Sequence, residues 1–73
     1  MSPDKLAYMA NQIATFFRHA PREEAVSSIA EHISNFWEPR MRRQFFELLA
    51  REKERFDPLV QDAGQHVRPV AEA

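Results

Sequence analysis

The sequence predicts an all-α protein, a small bundle of three main helices with a short fourth helix and a frayed carboxyl-terminal tail. Apolar residues recur at helical spacing in three successive segments. Pro3, Pro21, Pro39 and Pro58 each stand where the first turn of a helix tolerates the missing N–H. The chain has one glycine among 73 residues. Because tight hairpins between strands usually need glycine, a β architecture is disfavoured.

The first predicted helix runs from about Pro3 to His19, and the second runs from about Pro21 to Trp37. Each carries an apolar stripe on one face, with steps of three and four residues. Only Ala20–Arg22 is available to connect them, so we expect neighbouring antiparallel helices. Ser2 and Asp57 each precede a proline and are predicted N-caps.

The third predicted helix runs from Pro39 to about Arg55, and Glu52 falls at the centre of its apolar stripe. Either the packed part of this helix therefore ends near Leu49, or Glu52 pairs with a base. A short fourth helix is predicted to begin at Asp57–Pro58. Residues 1–67 are expected to form a single helical domain, and residues 68–73 are expected to be a disordered tail.

The predicted core collects the large apolar residues of the stripes. It consists of Leu6, Met9, Ile13, Phe16, Val26, Ile29, Ile33, Phe36, Phe45, Leu48 and Leu49. A core of this size rarely supplies more than about 3–5 kcal/mol. The chain has no cysteine, so disulfides and thiolate metal sites are excluded. Association with a partner is the remaining source of stabilisation.

Several function classes lack the residues that they need. The three histidines, His19, His32 and His66, have no metal-ligand spacing, so we expect no metal and no cofactor. Ser28 can approach His32 on one helix, but a chain this short offers no oxyanion hole, so no catalytic residue is predicted. No secretory signal or membrane-spanning segment is expected. The net charge of -1 argues against nucleic acid and against an anionic membrane surface.

The polar side of the first helix carries neutral groups where a free surface helix normally carries lysine and glutamate. These are Tyr8, Asn11, Gln12 and Thr15. Neutral hydrogen-bonding and aromatic groups suit an interface, where a buried charge would be unfavourable. We therefore predict that this side contacts a partner.

The turn into the third helix is the second candidate surface. Trp37 is followed after two residues by Arg40, Arg42 and Arg43. Three arginines at the amino end of a helix oppose the helix dipole, and acidic groups on a partner would compensate them. Tryptophan and arginine also dominate many interfaces, so this turn is predicted to bind a partner protein.

Three runs of the sequence resemble one known family. They are Ser2-Pro3-Asp4-Lys5-Leu6, Met9-Ala10-Asn11-Gln12-Ile13 and Phe36-Trp37-Glu38-Pro39-Arg40-Met41-Arg42. In combination they resemble the delta subunit of NAD-dependent, molybdenum-containing formate dehydrogenases. The resemblance implies a cofactor-free accessory subunit of a cytoplasmic complex. It also implies that the chain binds the alpha subunit, which carries the molybdenum cofactor, and supports assembly or stability.

Two other hypotheses remain open at this point. One is a helical nucleic-acid-binding module led by the Arg40–Arg43 turn, whose binding would fall steeply with salt. The other is a self-associating bundle, and the isolated chain could form a homo-oligomer even if it also serves a larger complex.

Overall fold

The computed structural model describes residues 1–71, which form four α-helices and one 3-10 turn. These are α1 (Pro3–Phe17), α2 (Arg22–Phe36), α3 (Pro39–Arg51), the 3-10 turn (Lys53–Arg55) and α4 (Pro58–Ala63). No strand occurs in this part of the chain. The all-α fold class predicted from the apolar stripes and the prolines is confirmed.

Both predicted N-caps are confirmed by their hydrogen bonds. The Ser2 hydroxyl accepts from the backbone N–H of Lys5, and the Asp57 carboxylate accepts from the backbone N–H of Leu59. Each side chain satisfies a donor that the first turn of a helix leaves free. Pro21 is itself the N-cap of α2, so that helix begins one residue later than predicted.

The third helix is shorter than predicted. It ends at Arg51, because Glu52 leaves the helical region with φ -140° and ψ 54°. Residues Lys53–Arg55 then make the separate 3-10 turn. The Glu52 carboxylate accepts from Nε of Arg55 at 2.9 Å. Both alternatives drawn from the sequence therefore hold, since the helix stops soon after Leu49 and Glu52 is paired with a base.

Small residues fill much of the interior. Six of the fifteen buried apolar residues in the described region are alanine: Ala7, Ala10, Ala14, Ala25, Ala30 and Ala63. α1 packs against α2, α3 and α4, and α4 packs mainly on α2. Because each alanine buries little apolar area, this core gives less stabilisation than one built from leucine and isoleucine.

The predicted core is correct for its central residues and wrong for two phenylalanines. Leu6, Ile29, Ile33, Phe45 and Leu48 are buried, and Met9, Ile13, Val26 and Leu49 are partly buried against them. Phe16 is 63% exposed and Phe36 is 74% exposed. α1 turns its alanine side inward, which leaves Phe16 on the outer flank, and Phe36 is the last residue of α2.

Three aromatic rings meet at the centre of the bundle. Phe45 of α3 contacts Trp37 edge-on, with 5.8 Å between ring centroids and an interplanar angle of 86°. It contacts Phe56 in the same way, at 5.4 Å and 84°. Edge-to-face geometry is favourable for aromatic rings. These contacts hold the turn before α3 and the segment after the 3-10 turn on one residue of α3.

Residues 68–71 have no regular secondary structure but lie against the bundle. The backbone N–H of Arg68 donates to Oγ of Ser34 at 2.8 Å. Its guanidinium donates to Oδ1 of Asn35 at 3.0 Å. The predicted boundary of the domain at residue 67 stays a prediction, and residues 72 and 73, which belong to the predicted tail, lie outside the described residues.

Ile33→Ala should destabilise the isolated chain by about 2–5 kcal/mol, because Ile33 is fully buried and truncation leaves a cavity. Phe36→Ala, three residues further along the same helix, should change stability by no more than about 0.5 kcal/mol, since Phe36 is exposed. Thermal unfolding followed by circular dichroism measures both. Equal effects of the two substitutions would contradict the packing described above.

Candidate functional site

The outer face of α1 is uncharged over three turns. Residues 6–17 contain no Asp, Glu, Lys or Arg. Tyr8 is 64% exposed, and its hydroxyl accepts from Nε2 of Gln12 at 2.8 Å. The exposed Thr15 donates its hydroxyl to the backbone oxygen of Asn11 at 3.0 Å. Three of the four residues predicted on this face therefore lie on a neutral surface that is open to a partner.

Asn11, the fourth residue, is used inside the chain. Its Nδ2 donates to the backbone oxygen of Arg55 at 3.0 Å, and its Oδ1 accepts from the backbone N–H of Asp57 at 2.8 Å. Both hydrogen bonds are partly buried. Asn11 therefore links α1 by hydrogen bonds to the junction between the 3-10 turn and α4. Its side-chain oxygen and nitrogen are both used within the chain.

Ion pairs surround this junction. Arg55 pairs with Asp4 at 2.6 Å and with Glu52 at 2.9 Å. The hydrogen bonds to these carboxylates, that to Asp4 first, raise the pKa of Arg55 above its ordinary value. Arg18 pairs with Asp57 at 3.1 Å at the other end of α1. The chain thus pairs its charges at both ends of this side of α1, and the neutral residues Tyr8, Gln12 and Thr15 lie beside them on the helix.

The arginine turn consists of Arg40, Arg42 and Arg43 at the start of α3, and these side chains differ in exposure. Arg40 and Arg43 are exposed, and no carboxylate of residues 1–71 forms an ion pair with either. Arg42 is only 8% exposed. Its Nη1 donates to the backbone oxygens of Arg68 at 2.8 Å and Pro69 at 3.5 Å. Arg40 and Arg43 are therefore available to a partner, whereas Arg42 holds the segment that follows α4.

Trp37 is likewise buried, with 5% of its surface exposed. Its ring packs edge-on against that of Phe45. Trp37 and Arg42 were predicted to bind a partner, but in this chain both are internal. The surface open to a partner consequently reduces to Tyr8, Gln12, Thr15, Arg40 and Arg43.

One hydrogen bond connects the helix of the arginine turn with the amino end of the chain. Nε2 of Gln44 donates to the backbone oxygen of Met1 at 2.5 Å. Arg40 lies one turn before Gln44 on the same face of α3. Tyr8, Gln12 and Thr15 lie further along, from the second turn of α1 onward. We call these five residues together the neutral–basic surface.

Two exposed aromatic residues were not predicted as surface candidates, because their spacing placed them in the predicted core. They are Phe16 and Phe36. The stripe of Ala7, Ala10 and Ala14 was the available signal, because small residues at helical spacing permit close packing of neighbouring helices. If the alanine stripe is the buried face of α1, helical spacing places Phe16 on an outer flank of that helix.

Open depressions lie on the remaining surface of residues 1–71. One of about 610 Å³ is an open groove between α2 and residues His66 and Arg68. A second depression, of about 280 Å³, includes Ser28 and His32, but no hydrogen bond joins these two side chains among the described residues. Within residues 1–71 no three acidic or histidine side chains come together as a metal site. No helix there has the length and apolarity to cross a membrane.

Comparison with known families decides what kind of chain this is. Residues 5–63 match the model of the NADH-dependent formate dehydrogenase delta subunit, FdsD. The chain belongs to this family. The resemblance drawn from the sequence motifs is confirmed, and the matched range contains both Met9–Ile13 and Phe36–Arg42. Neither the curated proteins nor the solved structures compared with this delta-subunit chain gave a significant match.

The match extends from α1 to the end of α4 and therefore covers every helix of the delta-subunit fold. It includes the neutral face of α1, the arginine turn and the Asn11 hydrogen bonds. The buried aromatic rings also lie within it. The surface described above is thus part of the region that defines the family.

Asn11→Ala should destabilise the delta-subunit chain by about 1–3 kcal/mol, because it leaves the Arg55 carbonyl and the Asp57 N–H without their partly buried partner. Gln12→Ala, at the next position, removes only an exposed hydrogen bond to Tyr8 and should change stability by less than about 0.5 kcal/mol. Urea unfolding of both variants measures the difference. Similar midpoints would show that Asn11 does not hold the junction.

Proposed function

We propose that this chain is a non-catalytic accessory subunit that binds the alpha subunit of a cytoplasmic formate dehydrogenase and supports assembly or stability of the complex. The family supplies the enzyme to which the subunit belongs. The observation that carries the proposal is the neutral–basic surface. It comprises an uncharged helix face with an exposed tyrosine, and two arginines that lack acidic partners in residues 1–71.

The physical character of this surface favours a protein partner. Tyr8, Gln12 and Thr15 offer an aromatic ring, an amide and a hydroxyl, and none of them carries a charge that binding would have to desolvate. Tyrosine and arginine are the residue types that most often dominate binding energy at interfaces. The partner surface that fits is one with apolar and hydrogen-bonding groups opposite α1 and with carboxylates opposite Arg40 and Arg43.

The small core favours the same conclusion. Six of the fifteen buried apolar residues of the described region are alanine, so the isolated fold gains little from burial. A partner that binds only the folded chain adds stability in proportion to its binding free energy. We therefore expect the chain to be more stable in the complex than alone, in agreement with a role in assembly.

Charge reversal of the exposed arginines tests the surface. Arg40→Glu with Arg43→Glu should weaken binding to the alpha subunit by about 10–100-fold, because two attractions become repulsions. Arg51→Glu with Lys53→Glu makes the same change of charge at exposed positions further along the chain and should leave binding within about threefold of wild type. Capture of purified alpha subunit measures both pairs, with circular dichroism to verify each fold.

Equal capture by both double variants would remove the arginine turn from the binding surface. Failure of the wild-type chain to capture the alpha subunit, under conditions in which it is folded, would contradict the proposed function itself.

A further inference from the structure

A second surface lies on the other flank of α1, along α2. A depression of about 280 Å³ is lined by Phe17, Ser28, Glu31, His32, Asn35 and Phe36. Phe16 stacks on Phe17 with 5.0 Å between ring centroids, and the Phe36 ring lies 4.9 Å from that of His32. Phe17 of α1 and the His32–Phe36 pair of α2 therefore border one depression, which we call the aromatic groove.

Phenylalanine rings at this groove are exposed to solvent. Phe36 is 74% exposed, although the next residue, Trp37, is buried. Phe16, which stacks on the lining residue Phe17, is 63% exposed. Single exposed apolar residues are common on protein surfaces, but several around one depression mark a contact site. Covering such rings removes apolar area from water, at about 25 cal/mol per Å².

The groove is lined by one carboxylate, that of Glu31, and the nearby Arg68 guanidinium is already bonded to Asn35. Glu24, Ser28, Glu31 and Asn35 follow one another at helical steps of four, three and four residues, so they share a face of α2. Glu24 and Glu31 are exposed, and neither takes part in the ion pairs of residues 1–71. The only arginine of α2, Arg22, is already paired with Asp62. An occupant of the groove is therefore favoured if it carries lysine or arginine.

The backbone around the groove favours a helix as occupant. Ser28 to Phe36 spans about 12 Å of α2, or roughly two turns. Most backbone groups of this stretch are bonded within the helix and free carbonyls occur only in its last turn, so an extended segment would find few backbone partners here. A helix satisfies its own backbone and presents apolar side chains at steps of three and four residues.

A second copy of this chain fits the groove poorly. Its basic face, on α3, combines Arg40, Arg43 and Arg51 with Gln44 and Glu47 and carries no large apolar side chain. Phe45 and Leu48 of α3 are buried, and Met41, Phe46 and Leu49 are partly buried against the core. The neutral face of α1 bears aromatic rings, but residues 6–17 contain no lysine or arginine that could face Glu31.

We propose that the aromatic groove docks an amphipathic helix of the alpha subunit, with an apolar side chain between Phe17 and Phe36 and a basic side chain facing Glu31. This inference rests on the proposed function and adds a second contact to the neutral–basic surface. The two contacts carry opposite charge, basic at the start of α3 and acidic on α2, so together they would fix the orientation of the subunit on its partner.

Affinity for the purified alpha subunit tests the groove. Phe36→Gln should weaken binding by about tenfold or more, because it removes an exposed aromatic anchor and leaves the buried core intact. Phe36→Leu, which keeps an apolar side chain, should recover most of that loss. Glu31→Lys should weaken binding by about tenfold, and Glu54→Lys, an exposed charge reversal outside the groove, should leave it within about threefold of wild type.

The outcomes separate this inference from the proposed function. Wild-type affinity of both Phe36→Gln and Glu31→Lys, with the wild-type chain binding normally, would overturn the groove and leave the proposed function standing. No binding by the wild-type chain would overturn both. Sedimentation of the isolated chain should show a monomer, and a dimer that Phe36→Gln dissociates would identify a second copy as the occupant and contradict the proposal.

Discussion

The edge-to-face packing of Trp37 and Phe56 on Phe45 is the interaction on which the rest of the structure depends. The three rings come from the turn before α3, from the segment after the 3-10 turn and from α3 itself. They supply a large share of the buried apolar surface in a bundle whose other contacts are made mostly by alanine and single aliphatic residues. Without them, α3 would have little to hold it against α1, and the arginine turn would lose its fixed position.

The same packing determines which groups reach the surface. Because Trp37 is drawn into the centre, Phe36 at the end of α2 is left outside, and the chain after Pro39 presents Arg40 and Arg43 to solvent. Because α1 turns its alanines and Leu6 inward, its aromatic residues Tyr8 and Phe16 are exposed. A chain that buries small residues and exposes aromatic and arginine side chains has a modest stability of its own and a surface suited to a partner.

The local features of the fold could be predicted from the sequence, and the features that depend on distant residues could not. Helical periodicity and the prolines located the helices, and the caps at Ser2 and Asp57 needed only their immediate neighbours. Periodicity could not decide which of two adjoining apolar stripes on α1 is buried, so Phe16 was misplaced. The internal use of Asn11 depends on residues 44 and 46 positions away. The burial of Arg42 depends on carbonyl groups 26 and 27 positions away. No local pattern reports either pairing.

Oxidative side-chain footprinting of the chain, alone and bound to the alpha subunit, tests the central claim most directly. The claim is that the exposed aromatic residues of α1 and α2 are contact groups, whereas the buried rings belong to the fold. Tyr8, Phe16 and Phe36 should be oxidised readily in the isolated chain and protected in the complex, and Trp37 and Phe45 should be protected in both states. Undiminished oxidation of Tyr8, Phe16 and Phe36 in a verified complex would contradict the account.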